Sequence, residues 1–189
     1  MKRQRIVVGI SGASGAPIAI EILRFFKELG QFETHLVVSS GAELTIRQES
    51  SLTLEDILSL ADATYDNHEL GAAIASGSFK ASGMIIVPCS MKTLAGIAHG
   101  YSDNLLLRAA DVCLKERRRL VLAVRECPFS AIHLRNMLAL SEMGAVILPP
   151  VLTYYINPRS IGDMTTHIAG KILDIFGLDL PGFNRWGED

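Results

Sequence analysis

The chain of 189 residues offers little on which a disulfide framework, a metal centre or a membrane anchor could be built. Its three cysteines, Cys89, Cys113 and Cys127, are scattered, odd in number and form no Cys-x-x-Cys pair. That excludes a disulfide-stapled scaffold and a structural zinc, and it fits a reducing compartment, so a cytoplasmic protein is expected. The cysteines read as small buried hydrophobes. His35, His99 and His133 stand in no His-x-x-x-His or His-Glu-x-x-His pattern, so they read as core or surface residues and no metal is expected. An excess of either charge is also missing: 18 basic against 20 acidic residues leave a formal net charge of -2, which supplies no broad basic field for nucleic acid or an anionic membrane. Long hydrophobic runs are lacking as well. The basic start reaches closely spaced glycines after about five apolar residues, too few for a signal segment or a span.

What is present suits one domain over residues 1–189, with a C-terminal tail from about residue 177, because 49% apolar content is ample for a core. Short apolar runs bounded by turn residues recur at 5–10, 35–38, 84–87, 120–124 and 145–148, and each reads as a strand buried on both faces. Helical spacing covers 18–29, 105–115 and 131–143, with one more helix expected from 156 to 176. Strand and helix alternate, which predicts the α/β class: a mainly parallel sheet with right-handed crossovers, sandwiched between helices. Ligands of such sheets sit beyond the carboxyl ends of the strands. The expected ends carry Gly9 to Ser14, Ser39-Ser40, Pro88-Cys89-Ser90, Arg125-Glu126 and Pro149-Pro150, so polar and turn-forming residues gather where a site belongs.

Three constellations carry chemistry. In Gly9-Ile10-Ser11-Gly12-Ala13-Ser14-Gly15-Ala16, a strand runs into glycines and hydroxyls at the start of a helix, a cradle for phosphate. The Gly-x-x-Gly-x-x-Gly spacing is neither the dinucleotide fingerprint nor the Walker pattern, which demotes NAD and ATP. In Pro88-Cys89-Ser90-Met91-Lys92-Thr93, a buried strand ends and a helix opens with two hydroxyls that either cap it or hold an anion. The run Lys115-Glu116-Arg117-Arg118-Arg119 reads as a solvated helix end, whereas Arg125-Glu126 directly follows an apolar strand at the level of the other ligand groups.

With Glu49, Ser76-Gly77-Ser78, Arg108-Ala109-Ala110-Asp111-Val112, Asn136-Met137-Leu138 and these motifs in order, the chain resembles, nearly end to end, the UbiX flavin prenyltransferases. The wording Ser90-Met91-Lys92-Thr93-Leu94 is most similar to the subgroup that accompanies hydroxyaryl acid decarboxylases. The resemblance implies a flavodoxin-like or Rossmann-like three-layer fold. It implies a metal-free transfer of the dimethylallyl group of dimethylallyl monophosphate to N5 and C6 of reduced FMN. The product, prenylated FMN, serves UbiD-type decarboxylases in ubiquinone synthesis or aromatic acid breakdown. It implies homo-oligomers, trimers built into dodecamers, with the site at subunit junctions. By matching position, Gly12, Ala13, Ser14, Ser39, Ser90, Thr93, Arg108 and Arg125 surround FMN. Lys115, Arg125 and Tyr155 hold the substrate phosphate, and Glu49 and Glu126 are the site carboxylates that relay a proton, Glu126 alternatively orienting Arg125. Bland alternatives remain: capping for the hydroxyls, an ion pair with Asp111 for Arg108, packing for Tyr154. Lys171 stands where the family usually carries a phosphate-binding arginine, keeping the charge without the fork. Two other readings stay open: an FMN-binding or assembly component without turnover, and an FMN-dependent cysteine decarboxylase, although the Pro-x-Met-Asn-x-x-Met-Trp pattern of the latter is not found.

Overall fold

The computed structural model describes residues 3–187. Six parallel strands, β1 (Gln4–Ile10), β2 (Phe32–Val38), β3 (Ala63–Tyr65), β4 (Gly83–Cys89), β5 (Arg119–Val124) and β6 (Val146–Ile147), lie in the order β3-β2-β1-β4-β5-β6. The order reverses at β1, the switch point of an open α/β sheet, where the helices that follow β1 and β4 leave toward opposite faces and a ligand crevice is expected. Helices α1 (Ala16–Leu29), α2 (Ser40–Glu49), α3 (Leu54–Leu58), α4 (Met91–Ala98), α5 (Leu105–Lys115), α6 (Ala131–Glu142) and α7 (Ile161–Asp174), with a short 3-10 helix at Ala73–Ala75, complete the described elements. None of them is long and apolar enough to cross a membrane.

The strand period of two divides the core. Ile6, Val8 and Ile10 of β1 pack with Ile22, Leu23 and Phe26 of α1 and with Ile168, Ile172 and Leu173 of α7. Val7 points to the other layer, with Met84, Ile86 and Leu122 beneath Leu94 of α4 and Leu106 and Ala110 of α5. Pro17 opens α1, and Gly30 closes it in the left-handed conformation (φ 64°), its N–H bonded to Phe26 O.

The expected strands and α5 appear within a few residues. The last helix is shorter than the expected 156–176: Ser160 and Asp163 form a capping box that starts it at Ile161, after Pro158. The strand expected at 145–148 shrinks to two half-buried residues, whereas β4 is buried throughout. The spacing pattern left out α2, α3 and β3. Only Ala42 and Ile46 of α2 are buried, and β3 is a short edge strand with no apolar run. Cys89 and Cys113 are buried and burial pushes both thiols up, Cys113 to about 12, as befits inert hydrophobes. Cys127, read as buried from sequence, is exposed, because it follows the end of β5 on the loop to α6. The tail after 177 is docked: Leu180 is buried and Phe183 packs on the α1–α7 layer.

His35 in β2 is 3% exposed, its Nδ1 2.9 Å from Tyr65 Oη and its ring edge-on to Phe79. Nε2 lies 3.3 Å from Glu33 Oε1 without hydrogen-bond alignment. Burial holds the imidazole below its usual range, against the smaller opposite pull of Glu33. The unfolded chain therefore binds this proton first, and stability is expected to decline as pH falls below about 6.5. Thermal melts across mildly acidic pH check this; an unchanged midpoint would contradict it. Leu23→Ala, at a fully buried position, is expected to cost about 3 kcal/mol in urea denaturation.

Candidate functional site

Parallel strands send every following helix away from the same edge of the sheet, so helix N-termini collect at the carboxyl ends. A cleft of about 360 Å³ opens there, lined by Gly12, Ser39, Gly41, Ser90, Lys92, Thr93, Asn104 and Glu126, among others. Ser39, Ser90 and Asn104 are the N-caps of α2, α4 and α5. Three helix N-termini thus border one cavity, each with the positive end of a dipole, and Lys92 adds a full charge; the first N–H groups of α5 are bonded to Asn67 and Asn104, so α2 and α4 are the helices that offer donors. An anionic ligand is the chemical complement. Capping and ligand binding are compatible here. Ser39 Oγ accepts from Ala42 N–H at 3.2 Å, and Ser90 Oγ accepts from Thr93 N–H at 3.3 Å while donating to Thr93 Oγ1 at 3.1 Å. Asn67 ties the cleft wall together, its Oδ1 accepting from Leu106 N–H at 3.0 Å.

The glycine loop is held by contacts that leave no room for side chains. A Cβ on Gly12 would stand 2.9 Å from Gly41 C and 3.0 Å from Gly41 Cα, both backbone. Ser11, 1% exposed, donates its hydroxyl to Pro88 O at 2.9 Å and accepts from Ser90 N–H at 2.8 Å, locking the β1 loop to the end of β4. It is therefore a structural tie and not the extra phosphate donor the sequence suggested. Ala13 N–H bonds Ser11 O at 2.9 Å, and Ser14 is exposed on the loop. The N-terminus of α1, expected to receive phosphate, carries an internal anion instead: Glu49 Oε2 accepts from Gly15 N–H at 2.8 Å and Ala16 N–H at 3.0 Å. Glu49 also borders a second cleft of about 350 Å³, with Pro17, Glu21 and Thr166, between α1 and α7.

The remaining predicted residues fall into three places. Arg125 and Glu126 follow β5; the Arg125 side chain is exposed, and no carboxylate among the described residues is within ion-pair range of it. Glu126 lines the first cleft and accepts from Cys127 N–H at 3.0 Å, so it does not orient Arg125 in this chain. Tyr155, in the turn before α7, and Lys171 on it belong to a separate cluster. Tyr155 meets His167 and Trp186 edge-on, with centroids 5.7 and 5.0 Å away, and Lys171 Nζ bonds Asp174 Oδ2 at 3.0 Å. Tyr154, read as packing, is instead 70% exposed.

Arg108 and Lys115 are not brought to the cleft. Arg108 pairs with Asp111 at 2.6 Å and donates to Ala75 O at 3.1 Å, the ion pair the sequence allowed as its alternative. Lys115 ends α5 beside the start of β5, at the opposite edge of the sheet, paired with Glu116 near Gly77. Arg118 there is not simply solvated: it donates to Gly77 O and Phe79 O at 2.6 and 2.7 Å. Wider grooves at that edge, about 550 and 630 Å³, lie at the amino ends of the strands, where no helix N-terminus points. Sequence reasoning missed Asn67, Gly41 and Asn104. Asn104 had a signal, an Asn directly before an apolar periodic run; Asn67 had none. No three His, Cys, Asp or Glu converge among the described residues.

The Flavoprotein family model matches residues 1–175. A probable UbiX-like flavin prenyltransferase of Sedimentibacter hydroxybenzoicus is 55% identical over 185 residues, 96% of each chain. The crystal structure of AnUbiX (PadA1) in complex with FMN and dimethylallyl pyrophosphate superposes with a TM-score of 0.97 at 49% identity, covering both chains completely. A dodecameric FMN-dependent UbiX-like decarboxylase from Escherichia coli O157:H7 gives a TM-score of 0.96 at 48% identity, covering 97% of this chain and 99% of that one. With likeness of this extent at both levels, the chain belongs to the flavoproteins and, among them, to the UbiX-like flavin prenyltransferases.

Proposed function

We propose that this protein transfers the dimethylallyl group of dimethylallyl monophosphate to N5 and C6 of reduced FMN, forming prenylated FMN for a UbiD-type decarboxylase. The observation that carries the reading is the cleft in which three capped helix N-termini and Lys92 surround a backbone cradle at Gly12 and Gly41. That donor set fits the phosphate of FMN, with Gly12, Ala13, Ser14, Ser39, Ser90 and Thr93 about it and Arg125 at its rim. Reduced FMN supplies the nucleophilic nitrogen and carbon.

The chain's own groups address the other half of the reaction, departure of an allylic phosphate. Arg125, Tyr155 and Lys171 bind the leaving group and offset its growing charge; the aromatic faces near Tyr155 favour an allylic cation. Lys171, without a guanidinium fork, binds the phosphate as a point charge and leaves orientation to its neighbours. Glu49 and Glu126 move the proton released on ring closure, Glu49 from the α1 N-terminus where its Oε2 is anchored.

Lys115 and Arg108 reach a site only from a neighbouring subunit, since within one chain they lie away from the cleft. Exposed apolar side chains support such an assembly: Ile132, Leu134 and Leu138 of α6 and Val151, Leu152 and Tyr154 after β6 are each more than half exposed. A homo-oligomer buries them, and a dodecamer, as in the Escherichia coli relative, is the proposed form. The protein is a single domain spanning 1–189 and acts in the cytoplasm.

Anaerobic incubation with FMN, dithionite and dimethylallyl monophosphate is expected to add one C5 unit to the extracted flavin by mass spectrometry; bound but unmodified FMN would refute transfer and favour a flavin carrier. Glu49→Gln should retain FMN yet slow product formation at least tenfold, as loss of a proton-transfer group does. Unchanged turnover would remove Glu49 from the proton path. Gly12→Ala, forcing apart the Gly12 and Gly41 backbones, is expected to weaken FMN about tenfold or more in a fluorescence titration.

A further inference from the structure

The segment after α7 folds back and fastens to that helix. A Cβ on Gly170 would meet Phe183 Cβ and Cγ at 2.5 Å, so glycine provides the notch in which Phe183 sits, tilted against His167 with centroids 5.0 Å apart. Arg185, two residues on, donates from Nη2 to Asp174 Oδ1 at 2.7 Å and to Asp179 Oδ1 at 2.5 Å. The second oxygen of Asp174 accepts from Lys171 Nζ. One carboxylate therefore holds two cations, one from the helix and one from the tail, and Arg185 first and Lys171 second keep it below the usual carboxylate range.

We propose that Asp174 and Arg185 are positioning residues for Lys171, Arg185 serving as the standing counter-charge that lets Asp174 release the lysine to an anionic substrate. The inference rests on the reading that Lys171 binds the prenyl phosphate. Two cations on one carboxylate compete. Lys171 is a point charge on a flexible stem, whereas Arg185 is a planar fork held by two carboxylates, so the lysine is the one that exchanges. When it leaves, Asp174 remains paired. Without Arg185 the same departure strips the carboxylate of its last cation, and Lys171 is retained. His167, one turn before Lys171, adds no rival cation near neutrality, because burial first and the charge of Lys171 second hold it below its usual range. Lys171 is 54% and Asp174 27% exposed, so water moderates the coupling.

Steady-state kinetics with dimethylallyl monophosphate tests this through opposite signs. Arg185→Ala should raise KM about twofold to fivefold with little change in kcat, the span expected for an exposed ion pair. Asp174→Asn should lower KM, the double variant should follow Asp174→Asn, and Arg185→Lys should recover part of the loss. Trp186 is the only tryptophan and meets Tyr155 edge-on, so its near-ultraviolet circular dichroism reports whether the tail stays docked, independently of activity. Shifts of both single variants in the same direction, or a double variant as impaired as Arg185→Ala with the Trp186 dichroism lost, would overturn the proposal in favour of plain tail docking. Lys171→Ala separates the premise: an unchanged KM would overturn the phosphate-binding reading and this inference with it, whereas a raised KM beside same-direction shifts overturns this inference alone.

Discussion

The parallel sheet imposes one constraint from which the functional end of the molecule follows: every crossover helix must begin where a strand ends. The backbone N–H groups of a helix's first turn have no partner within the helix, so they accumulate at one edge of the sheet as unsatisfied donors. Side-chain caps at Ser39, Ser90 and Asn104 satisfy part of this demand. The remainder, together with Lys92, makes an anion site without any basic surface, which is how a chain of net charge -2 offers a place to a phosphate. Close approach completes the arrangement. Gly12 against Gly41 brings the β1 loop and α2 together, and Ser11 binds that loop to the end of β4.

Anions of the protein itself pair with donors on both flanks of the molecule. Glu49 is bonded to the N-terminus of α1, removing that helix from the phosphate cradle while fixing a carboxylate beside the loop. Asp174 plays a comparable part for Lys171 on the far flank. Such pairing satisfies these groups within the chain, and partly exposed ion pairs are worth little individually. The exposed apolar surfaces of α6 and of the chain after β6 are what supports the proposed homo-oligomer.

Local signals were legible where they are strong and periodic. The apolar runs of β1, β4 and β5 and the helical spacing of α1 and α5 appear in the structure nearly as expected, since burial on both faces demands continuous apolar sequence. Motif order identified the family, and the Ser39 and Ser90 caps stood in the expected cleft. The short α2, with two buried residues, and the edge strand β3 were not legible, because neither needs an apolar pattern to be held by its neighbours.

By itself the sequence determined the class of fold, the glycine-rich turn after β1 and the family, for these depend on residue type at short range: backbone conformation, capping and strand burial. Only the tertiary structure decided which candidates meet. It placed Ser11 between two loops, Glu49 on the α1 N-terminus, Arg108 on Asp111, Lys115 at the far edge of the sheet, and Lys171 with Arg185 on one carboxylate. The contacts of Ser11, Glu49 and Arg185 join residues far apart along the chain, about which sequence spacing carries no information, whereas for Arg108 the structure chose the i,i+3 pair that the spacing had offered as an alternative.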